Sequence, residues 1–599
     1  MKNFIPLTFF LAVLLLTAQA FCTNYYVSPT GDDSKDGTSP ATAWATIARV
    51  NAAEEIQPGD KVLWKRGGIW RGTVRPHSGE EGNPVIYSSY RVKGQPKDAP
   101  KPTFYGSKEA SQKRDWVEVS PNIWATRETK PEILGAVDGK FLEGWNLYVD
   151  RAKAEVKSEF TVEDGLRKLT FDVIGGGKGA NNVQLWGPAV DAVNFPKTML
   201  LKMKVRANQP VTVPGMRISL SGPPYTGKAT SNAIEVTEEW REAEMLVNVG
   251  DAPLPEGRKF TWHWSLGDVP VGTKLEIILE SLNECVVDRS LYLNVDVGNI
   301  IFDHGKFTKY HYCGMKKWKL EDLKAPGDYY YDAKSCRVFL YWDENPAKTC
   351  KSIELALRSS VIDEGGCHDV IYDGLAVAYG AAHGFGGGNT RRLTIRNCDL
   401  YFIGGGHQFT HENGTPVRFG NAIEFWGSCD SNLVEGNHIW EVYDAALTNQ
   451  GSGSETNPSI QKNITYRNNL IEKSEYSFEY WNRGGVTENV VFENNTCVDA
   501  GVCWSHSQRP NPNGAHMMFY NNSAETTGVV IRNNKFFNST EVCLRMDNDW
   551  RSGLKMEKNE YAQTEGMPVV RWLVKNYYDV KTFADWQKDS GLDQGSTCK

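Results

Sequence analysis

A short motif recurs between Arg391 and Tyr561, at intervals of roughly twenty-five to forty residues. In each copy, alternating apolar residues lead to an Asn that is followed by further apolar residues. The copies are LTIRNCDL (393–400), LVEGNHI (433–439), ITYRNNLI (464–471), VVFENNTCV (490–498), VVIRNNKFF (529–537) and LKMEKNEY (554–561). The aligned residues are Asn437, Asn469, Asn495, Asn534 and Asn559, with Cys398 at the matching place in the first copy.

This motif suits a tight corner that is repeated from one coil of the chain to the next. Asn tolerates left-handed backbone, and its amide can hydrogen-bond the equivalent amide one coil away. A coil of this length cannot bury an apolar face alone, so the coils must stack. The repeat therefore predicts an all-β fold built as a β-solenoid, in which variable insertions gather on one face and form a groove.

The chain of 599 residues is too long for a single ordinary core, which predicts two or three domains. Residues 1–20 are predicted to be a signal peptide, because Lys2, an apolar run over 7–16 and a small-residue site ending at Ala20 follow in order. The mature protein is then secreted or periplasmic. No later segment has eighteen consecutive apolar residues, so no transmembrane segment is expected.

Residues 137–295 lack the Asn repeat and instead alternate short apolar strands with Gly, Pro and Asn turns. This pattern predicts an inserted antiparallel β-sandwich that resembles jelly-roll carbohydrate-binding modules. Its aromatic residues line a sugar site or, in the alternative interpretation, belong to the core. They are Trp145, Trp186, Tyr225, Trp262 and Trp264.

The mature N-terminus contains YYVSPTGDD (25–33), AWATI (43–47) and QPGDKV (57–62). This order resembles the opening of secreted bacterial right-handed parallel β-helix proteins, the pectin-lyase-like superfamily, over about 24–125 and more strongly over about 295–565. The resemblance implies an N-terminal cap and first coils over 21–136, the main parallel β-helix over 296–575 and a C-terminal cap or tail over 576–599. It further implies an enzyme that acts on polysaccharides, most similar to the glycoside hydrolases.

Composition narrows the class of partner. The formal net charge of −7 argues against nucleic acid as a partner. Aromatic residues make up 11% of the chain, with 19 Trp. On an exported solenoid this excess fits the stacking of sugar faces on aromatic rings, so a polysaccharide or oligosaccharide is the expected partner.

Two successive acid-and-Trp pairs define a candidate groove. In IEFW, Ile423 and Phe425 should point inward, which places Glu424 and Trp426 outward. Glu479 and Trp481 repeat this pairing. If Asp444 lies on the coil between them, it should be about 5 Å from either glutamate, and the glutamates should be about 10 Å apart, given a strand spacing of about 4.8 Å.

Glu424, Asp444 and Glu479 are therefore the candidate catalytic acids, one protonating the glycosidic oxygen and another acting as nucleophile or base. The remaining candidates are His407 and His506 as catalytic or orienting imidazoles, and Trp426, Trp481, Trp504, Arg509, Arg545 and Asp547 as substrate-binding residues. Each has a structural alternative. The acids could bind calcium or an arginine, Asp444 could cap a turn, the histidines could be loop hydrogen-bonders, and Arg509, Arg545 and Asp547 could be surface ion pairs.

Two other functions remain open from the sequence. A polysaccharide lyase would use Arg509 or Arg545 to neutralise a uronate carboxylate and His506 as the base, with calcium as a possible cofactor. A non-catalytic glycan-binding protein would need the aromatic residues and not the acids. No cofactor or metal site is predicted from residue spacing.

Overall fold

The computed structural model describes residues 22–128, 131–137, 144–176, 179–191, 198–222, 227–231, 233–248, 257–286, 291–454, 456–520 and 525–599. The predicted signal peptide and Tyr225 lie outside these ranges. Within them, no helix combines the length and apolar character that crossing a membrane requires.

The chain is all-β, and its two largest sheets are built mainly from parallel strands, in agreement with the predicted class. The twelve-stranded sheet contains Asn24–Val27, Lys61–Lys65, Val85–Tyr90, His368–Asp373, Arg391–Arg396, Cys429–Asp430, Leu433–Glu435, Ser459–Arg467, Gly485–Glu493, Glu525–Thr527, Val529–Arg532 and Leu554–Glu557. The seventeen-stranded sheet contains Ile69–Arg71, Thr103–Tyr105, Ile362–Asp363, Ala376–Ala378, Phe385–Gly386, Asp399–Ile403, Ile423–Trp426, His438–Ser452, Leu470–Arg483, Thr496–Ala500, Ala515–Phe519, Lys535–Ser539, Val542–Met546, Glu560–Ala562, Val570–Trp572, Asn576–Tyr578 and Thr597–Cys598.

The predicted Asn ladder is confirmed. Asn469 donates its side-chain amide to Asn495 Oδ1 at 2.9 Å, and Asn495 donates in turn to Asn534 Oδ1 at 3.2 Å. Each Oδ1 also accepts the backbone N–H of the preceding ladder position, beginning with Cys398 to Asn437 at 2.9 Å. The left-handed conformation, however, belongs to the residue before the ladder, as at Asn468 and Asn494, whose φ angles are 57° and 56°.

Replacing Asn495 with Ala should destabilise the fold by about 2–4 kcal/mol, because it leaves the buried N–H groups of Asn469 without their acceptor and Tyr466 O without a donor. Urea unfolding measures the change. Asn457→Ala is the control, since Asn457 is exposed in a loop. Equal unfolding midpoints for the two variants would contradict a stabilising role for the ladder.

The described residues between 132 and 286 form two antiparallel sheets that share one hydrophobic core, where the sequence predicted an antiparallel sandwich. One sheet contains Asn146–Val149, Val183–Trp186, Val190–Asp191, Arg217–Leu220, Gly227–Thr230 and Lys259–Ser265. The other contains Glu132–Ala136, Ala154–Glu163, Leu166–Gly176, Thr198–Ala207, Arg241–Asn248 and Lys274–Val286, and Val211–Val213 pairs with Ile234–Val236 beside them. Trp145, Trp262 and Trp264 are buried in the core between the sheets, which supports the core interpretation for these three.

The segment from 297 to 357 differs from the prediction of parallel coils starting at 296. Val297–Phe302, Ile353–Leu357 and Ser107–Glu109 form an antiparallel sheet. Met315–Lys317, Asp328–Asp332, Arg337–Tyr341, Ile123–Thr126 and Trp116–Ser120 form a mixed sheet. Local apolar alternation is the same in parallel and antiparallel strands, so it did not distinguish them.

The remaining elements are short. A hairpin joins Gly406–Thr410 to Pro416–Phe419. The helices are Ile47–Asn51, Pro346–Thr349 and Phe583–Ser590, with 3₁₀ turns at Lys113–Asp115, Ala180–Asn182, Asp303–Gly305, Leu320–Asp322 and His506–Gln508. The last helix buries Phe583 and Trp586, and buried Asp593 after it accepts from Asn559 Nδ2 at 3.1 Å. The C-terminal segment therefore closes the ladder.

One carboxyl group in the interior of the parallel sheets lacks a partner. Glu364 is fully buried, and neither of its carboxyl oxygens has a hydrogen bond among the described residues. Burial raises the pKa of Glu364 to about 8, and the charge of Asp363 adds to the effect. Glu364 is therefore protonated in the folded protein at neutral pH.

In the unfolded chain Glu364 loses this proton at about pH 4.3. Its contribution to the free energy of unfolding should therefore be most favourable below that pH and should decrease until about pH 8. Glu364→Gln should remove this component and raise the free energy of unfolding by a few kcal/mol at pH 8.5, with little change at pH 4. Urea titrations at both pH values test this, with exposed Glu412→Gln as the control. A mutant–wild-type difference that does not vary with pH would contradict the assignment.

Candidate active site

Both glutamates of the predicted acid-and-Trp pairs occupy one column across three parallel strands. Glu424 pairs in register with Thr448, and Thr448 pairs with Glu479. Ile423 and Phe425, on either side of Glu424, are fully buried, as the alternation predicted. The same column continues through Met518 to Arg545 and Arg571.

Asp444 lies on the intermediate strand, as supposed, but not at the position between the glutamates. That position is held by Thr448. Asp444 precedes Thr448 by four residues and lies at an irregularity in the pairing between Val442 and Ala445. The separations of about 5 Å that the strand spacing predicts therefore do not apply to Asp444.

Glu479 is buried, and its side-chain hydrogen bonds come from neutral groups. Its side chain is 4% exposed, and its Oε2 accepts from Gln450 Nε2 at 2.5 Å and from Thr448 Oγ1 at 3.3 Å. Burial raises the pKa of Glu479 to about 8, and the charge of Asp444 raises it further against the hydrogen bonds of Gln450 and Tyr520. Glu479 therefore holds a proton at neutral pH.

Asp444 differs because it has a cation beside it. Arg509 Nη2 donates to Asp444 Oδ1 at 3.2 Å, while Nη1 donates to Tyr443 O at 2.7 Å. Burial raises the pKa of Asp444, and the charges of Glu475 and Glu424 add to this, whereas Arg509 opposes it. Of the interacting pair Asp444 and Glu479, the aspartate is the one whose negative charge is compensated.

Asn421 holds one carboxyl oxygen of Glu424, and His383 faces the other. Asn421 Nδ2 donates to Glu424 Oε2 at 2.7 Å, and His383 Nε2 lies 3.4 Å from Oε1. Because His383 Nδ1 accepts the backbone N–H of Asn421 at 3.2 Å, a neutral imidazole carries its proton on Nε2, on the side of Glu424.

The two outward tryptophans form an aromatic platform beside the acids. Trp426 and Trp481 stack with centroids 5.9 Å apart and an interplanar angle of 18°. Trp426 is 39% exposed, and Gly388 pairs with it on the preceding coil. Because glycine has no side chain, that coil leaves one side of Trp426 open.

His506 belongs to a buried polar network next to Asp444. Its Nδ1 lies 2.9 Å from Glu475 Oε2, and Glu475 Oε1 accepts the backbone N–H of Asn513 at 2.7 Å. Burial opposes the ionisation of Glu475, but the hydrogen bond from His506 and the charge of Arg509 lower its pKa overall. Glu475 is thus a carboxylate that fixes both His506 and Arg509.

Three other predicted residues have partners of their own. Arg545 makes a two-pronged ion pair with Asp547, with both distances at 3.1 Å. Trp504 is only 5% exposed and donates through Nε1 to Glu441 O at 3.2 Å, so its ring is not the open stacking surface that was predicted.

His407 lies on the hairpin at 406–419. Its Nε2 is 2.9 Å from Thr410 Oγ1, its ring packs edge-on against Trp318, and its backbone N–H donates to Asp296. Burial lowers its pKa despite the opposing charge of Asp296. Its contacts among the described residues do not include the three acids, in contrast to the predicted role.

The residues that sequence reasoning missed are His383, Asn421, Thr448, Gln450, Glu475 and Tyr520. Asn421 is close in sequence to Glu424, and Thr448 and Gln450 are close to Asp444, so this closeness was the available signal. In the described part of the chain, no cluster of three or more His, Cys, Asp or Glu residues is arranged to hold a metal ion.

Comparisons with known proteins add the following. No protein-family model matches the chain. No match was found among curated proteins. Solved structures with similarity to this chain include glycoside hydrolases and carbohydrate-binding modules.

Three of these structures illustrate the range. A structure of XylC with xylose aligns over 96% of this chain and 83% of its own, at 9% identity and a TM-score of 0.36. The GH136 lacto-N-biosidase from Eubacterium ramulus aligns over 96% of this chain and 68% of its own, at 9% identity and 0.30. The second N-terminal cellulose-binding domain of Cellulomonas fimi β-1,4-glucanase C aligns over 25% of this chain and 92% of its own, at 19% identity and 0.19. At these TM-scores, the similarities assign neither a fold nor an activity to this chain.

Proposed function

We propose that this protein is an exported glycoside hydrolase that acts on a polysaccharide or oligosaccharide in a groove of a right-handed parallel β-helix. The observation that carries the proposal is the column in which Glu424 and Glu479 stand two strands apart, with Asp444 electrostatically coupled to both. The sequence pattern of residues 1–20 supports export, and the parallel pairing of the repeat strands supports the β-helix.

In this proposal Glu479 is the general acid. It holds a proton at neutral pH because it is buried beside a negative charge and its hydrogen-bond partners, Gln450, Thr448 and Tyr520, are neutral. It transfers that proton to the glycosidic oxygen as the bond from this oxygen to the anomeric carbon breaks. The ion pair with Arg509 favours the charged form of Asp444, and that charge raises the pKa of Glu479.

Glu424 is then the base. Its oxygens accept from Asn421 and face the Nε2 proton of His383, so it can take a proton from a water molecule whose oxygen bonds to the anomeric carbon. Two strand spacings separate the backbones of Glu424 and Glu479 by about 10 Å, near the upper end of the separation of about 6.5–9.5 Å between carboxyl groups in inverting enzymes. Inversion of configuration is the outcome this spacing favours.

The aromatic platform supplies the sugar-binding surface. Trp426 is more exposed than Trp481, and the Trp481 ring stacks on one face of the Trp426 ring. Sugar rings present apolar C–H faces that pack on indole rings, while their hydroxyls reach polar groups at the edge. Trp426 and Glu424 are two residues apart on one strand and share a face of it. A sugar bound on Trp426 is therefore close to Glu424.

A lyase is less well supported by the same contacts. Arg509 is ion-paired with Asp444 and lies 3.6 Å from Glu475, and Arg545 is ion-paired with Asp547. Neither guanidinium is available to neutralise a uronate carboxylate without giving up a carboxylate partner that it already has.

The test is incubation of the mature protein with a panel of plant, algal and host glycans. New reducing ends without absorbance of unsaturated uronates are expected for hydrolysis. Proton NMR of the first product should show the anomer opposite to that of the substrate. Reducing ends accompanied by unsaturated-uronate absorbance would replace the hydrolase with a lyase, and a product of retained configuration would overturn the roles given to Glu424 and Glu479.

A further inference from the structure

The sandwich has a concave surface that is well separated in sequence from the column of Glu424, Thr448 and Glu479, here called the acid column. Strand alternation places Trp262 and Trp264 in the core and turns His263 to the opposite face of the same strand. Tyr148, Gln184, Trp186, Arg217, Ser219 and His263 line a cleft of about 650 Å³ on that face.

The cleft is ordered by the strand register. Trp186 and His263 are directly paired, and His263 is paired with Arg217 on the next strand. In the neighbouring row, Tyr148 is paired with Gln184. One row therefore contains Trp186, His263 and Arg217, and the other contains Tyr148 beside the amide of Gln184.

Two features of the cleft point to a ligand. Trp186 and His263 stack with centroids 4.3 Å apart and an interplanar angle of 11°, so the buried imidazole holds the indole ring at the cleft in a fixed orientation. Ser219, only 3% exposed, lines the cleft and has a hydroxyl without a hydrogen-bond partner among the described residues. Buried hydroxyls are normally paired, so a bound polar group would satisfy this one.

The charge of the cleft is one-sided. Burial lowers the pKa of His263 to about 4, and the charge of Arg217 contributes, so this imidazole is neutral at neutral pH. Arg217 is exposed and makes no ion pair within the part of the chain that the structure describes. Among the described residues that line the cleft there is no Asp or Glu, so the charge of Arg217 is not compensated by any of them.

We propose that this cleft binds a glycan that contains uronic acid residues, with sugar rings on Trp186 and Tyr148 and a uronate carboxylate on the guanidinium of Arg217. Planar, two-pronged binding of a carboxylate is what a guanidinium provides. The Ser219 hydroxyl and the Gln184 amide serve the sugar hydroxyls. This site is distinct from the acid column, and its occupation does not require that the column be catalytic.

The test uses the full chain carrying Trp426→Ala and Glu479→Gln, which removes the exposed platform ring and the proposed acid. Affinity electrophoresis then compares polygalacturonate, alginate and glucuronoxylan with a neutral mixed-linkage β-glucan. We expect retardation by at least one uronate polymer. Adding Arg217→Gln should weaken that binding at least tenfold and leave any binding of the neutral glucan unchanged, and adding Trp186→Ala should weaken both.

The controls are matched within the sandwich. Trp240→Ala removes an exposed tryptophan that contacts Arg206 on the other sheet, and Arg241→Gln removes a positive charge there. Neither should change binding. Because Arg217 is exposed, Arg217→Gln should unfold at the wild-type temperature. Absence of binding to all three uronate polymers, preference for the neutral glucan, or equal effects of Arg217→Gln and Arg241→Gln would overturn the proposal, whatever the glycan panel shows for hydrolysis.

Discussion

Glu479→Gln is expected to lower turnover of a natural glycan by a factor of about 10² to 10⁴, because the proposed general acid can no longer donate a proton. The loss should be much smaller on an aryl glycoside with a good leaving group, which needs little protonation. Wild-type activity should fall as pH rises through about 8, where Glu479 loses its proton. The variant should lack this alkaline limb.

The matched control is Glu472→Gln on the same strand. Glu472 is partly exposed and is paired with His438 at 2.7 Å, so its loss should leave turnover within twofold of wild type. The measurements are initial rates from pH 5 to 10 on both substrate types, together with thermal unfolding to confirm folding. An alkaline limb that persists in Glu479→Gln would remove this residue from the acid role.

Glu424→Gln should also lower turnover by a factor of about 10² to 10⁴, but with a different signature. The base is needed whatever the leaving group, so natural glycans and activated aryl glycosides should lose activity to the same degree. Azide, a nucleophile that needs no deprotonation, should restore part of the rate on the aryl substrate. The glycosyl azide should have the inverted configuration.

Glu435→Gln is the control for this second variant, since Glu435 lies on a strand of the twelve-stranded sheet and is ion-paired to Arg467. We would measure the hydrolysis rates of both variants with and without azide, and determine the configuration of the glycosyl azide by NMR. A glycosyl azide of retained configuration would instead make Glu424 the acid–base residue of a retaining enzyme, because azide would then attack a covalent glycosyl-enzyme. Near wild-type activity of both Glu424→Gln and Glu479→Gln would remove the acid column from the mechanism.

The Asn repeat and the pairing of Glu424 with Trp426 and of Glu479 with Trp481 could be predicted, because each depends on the order of a few neighbouring residues. The Asn ladder follows from one residue type at one aligned position, and the placement of Glu424 and Trp426 follows from the two-residue period of a strand. Neither inference needs to know how long the intervening loops are.

The rest of the site depends on contacts between coils of unequal length. Asp444 was expected beside both glutamates, but the in-register position belongs to Thr448, four residues further along the same strand. His383 reaches Glu424 from a coil about forty residues earlier, and Glu475 reaches His506 across 31 residues. Such contacts are fixed by the pairing register, which the printed sequence does not specify.

The amide column has a direction. Every ladder Asn donates to the side chain of the next ladder position toward the C-terminus, and Asn559 donates to Asp593. The same amides also donate to backbone carbonyls of the preceding coil, as Asn495 does to Tyr466 O. A coil inserted within the array would receive and pass on the same bonds, so the array can change length at little cost, as in other repeat architectures. The last coil cannot be exchanged in this way. Removing the segment that contains Asp593 would leave N–H donors of Asn559 without acceptors at the end of the coil array. A strand of a second molecule would then be able to pair with this exposed end.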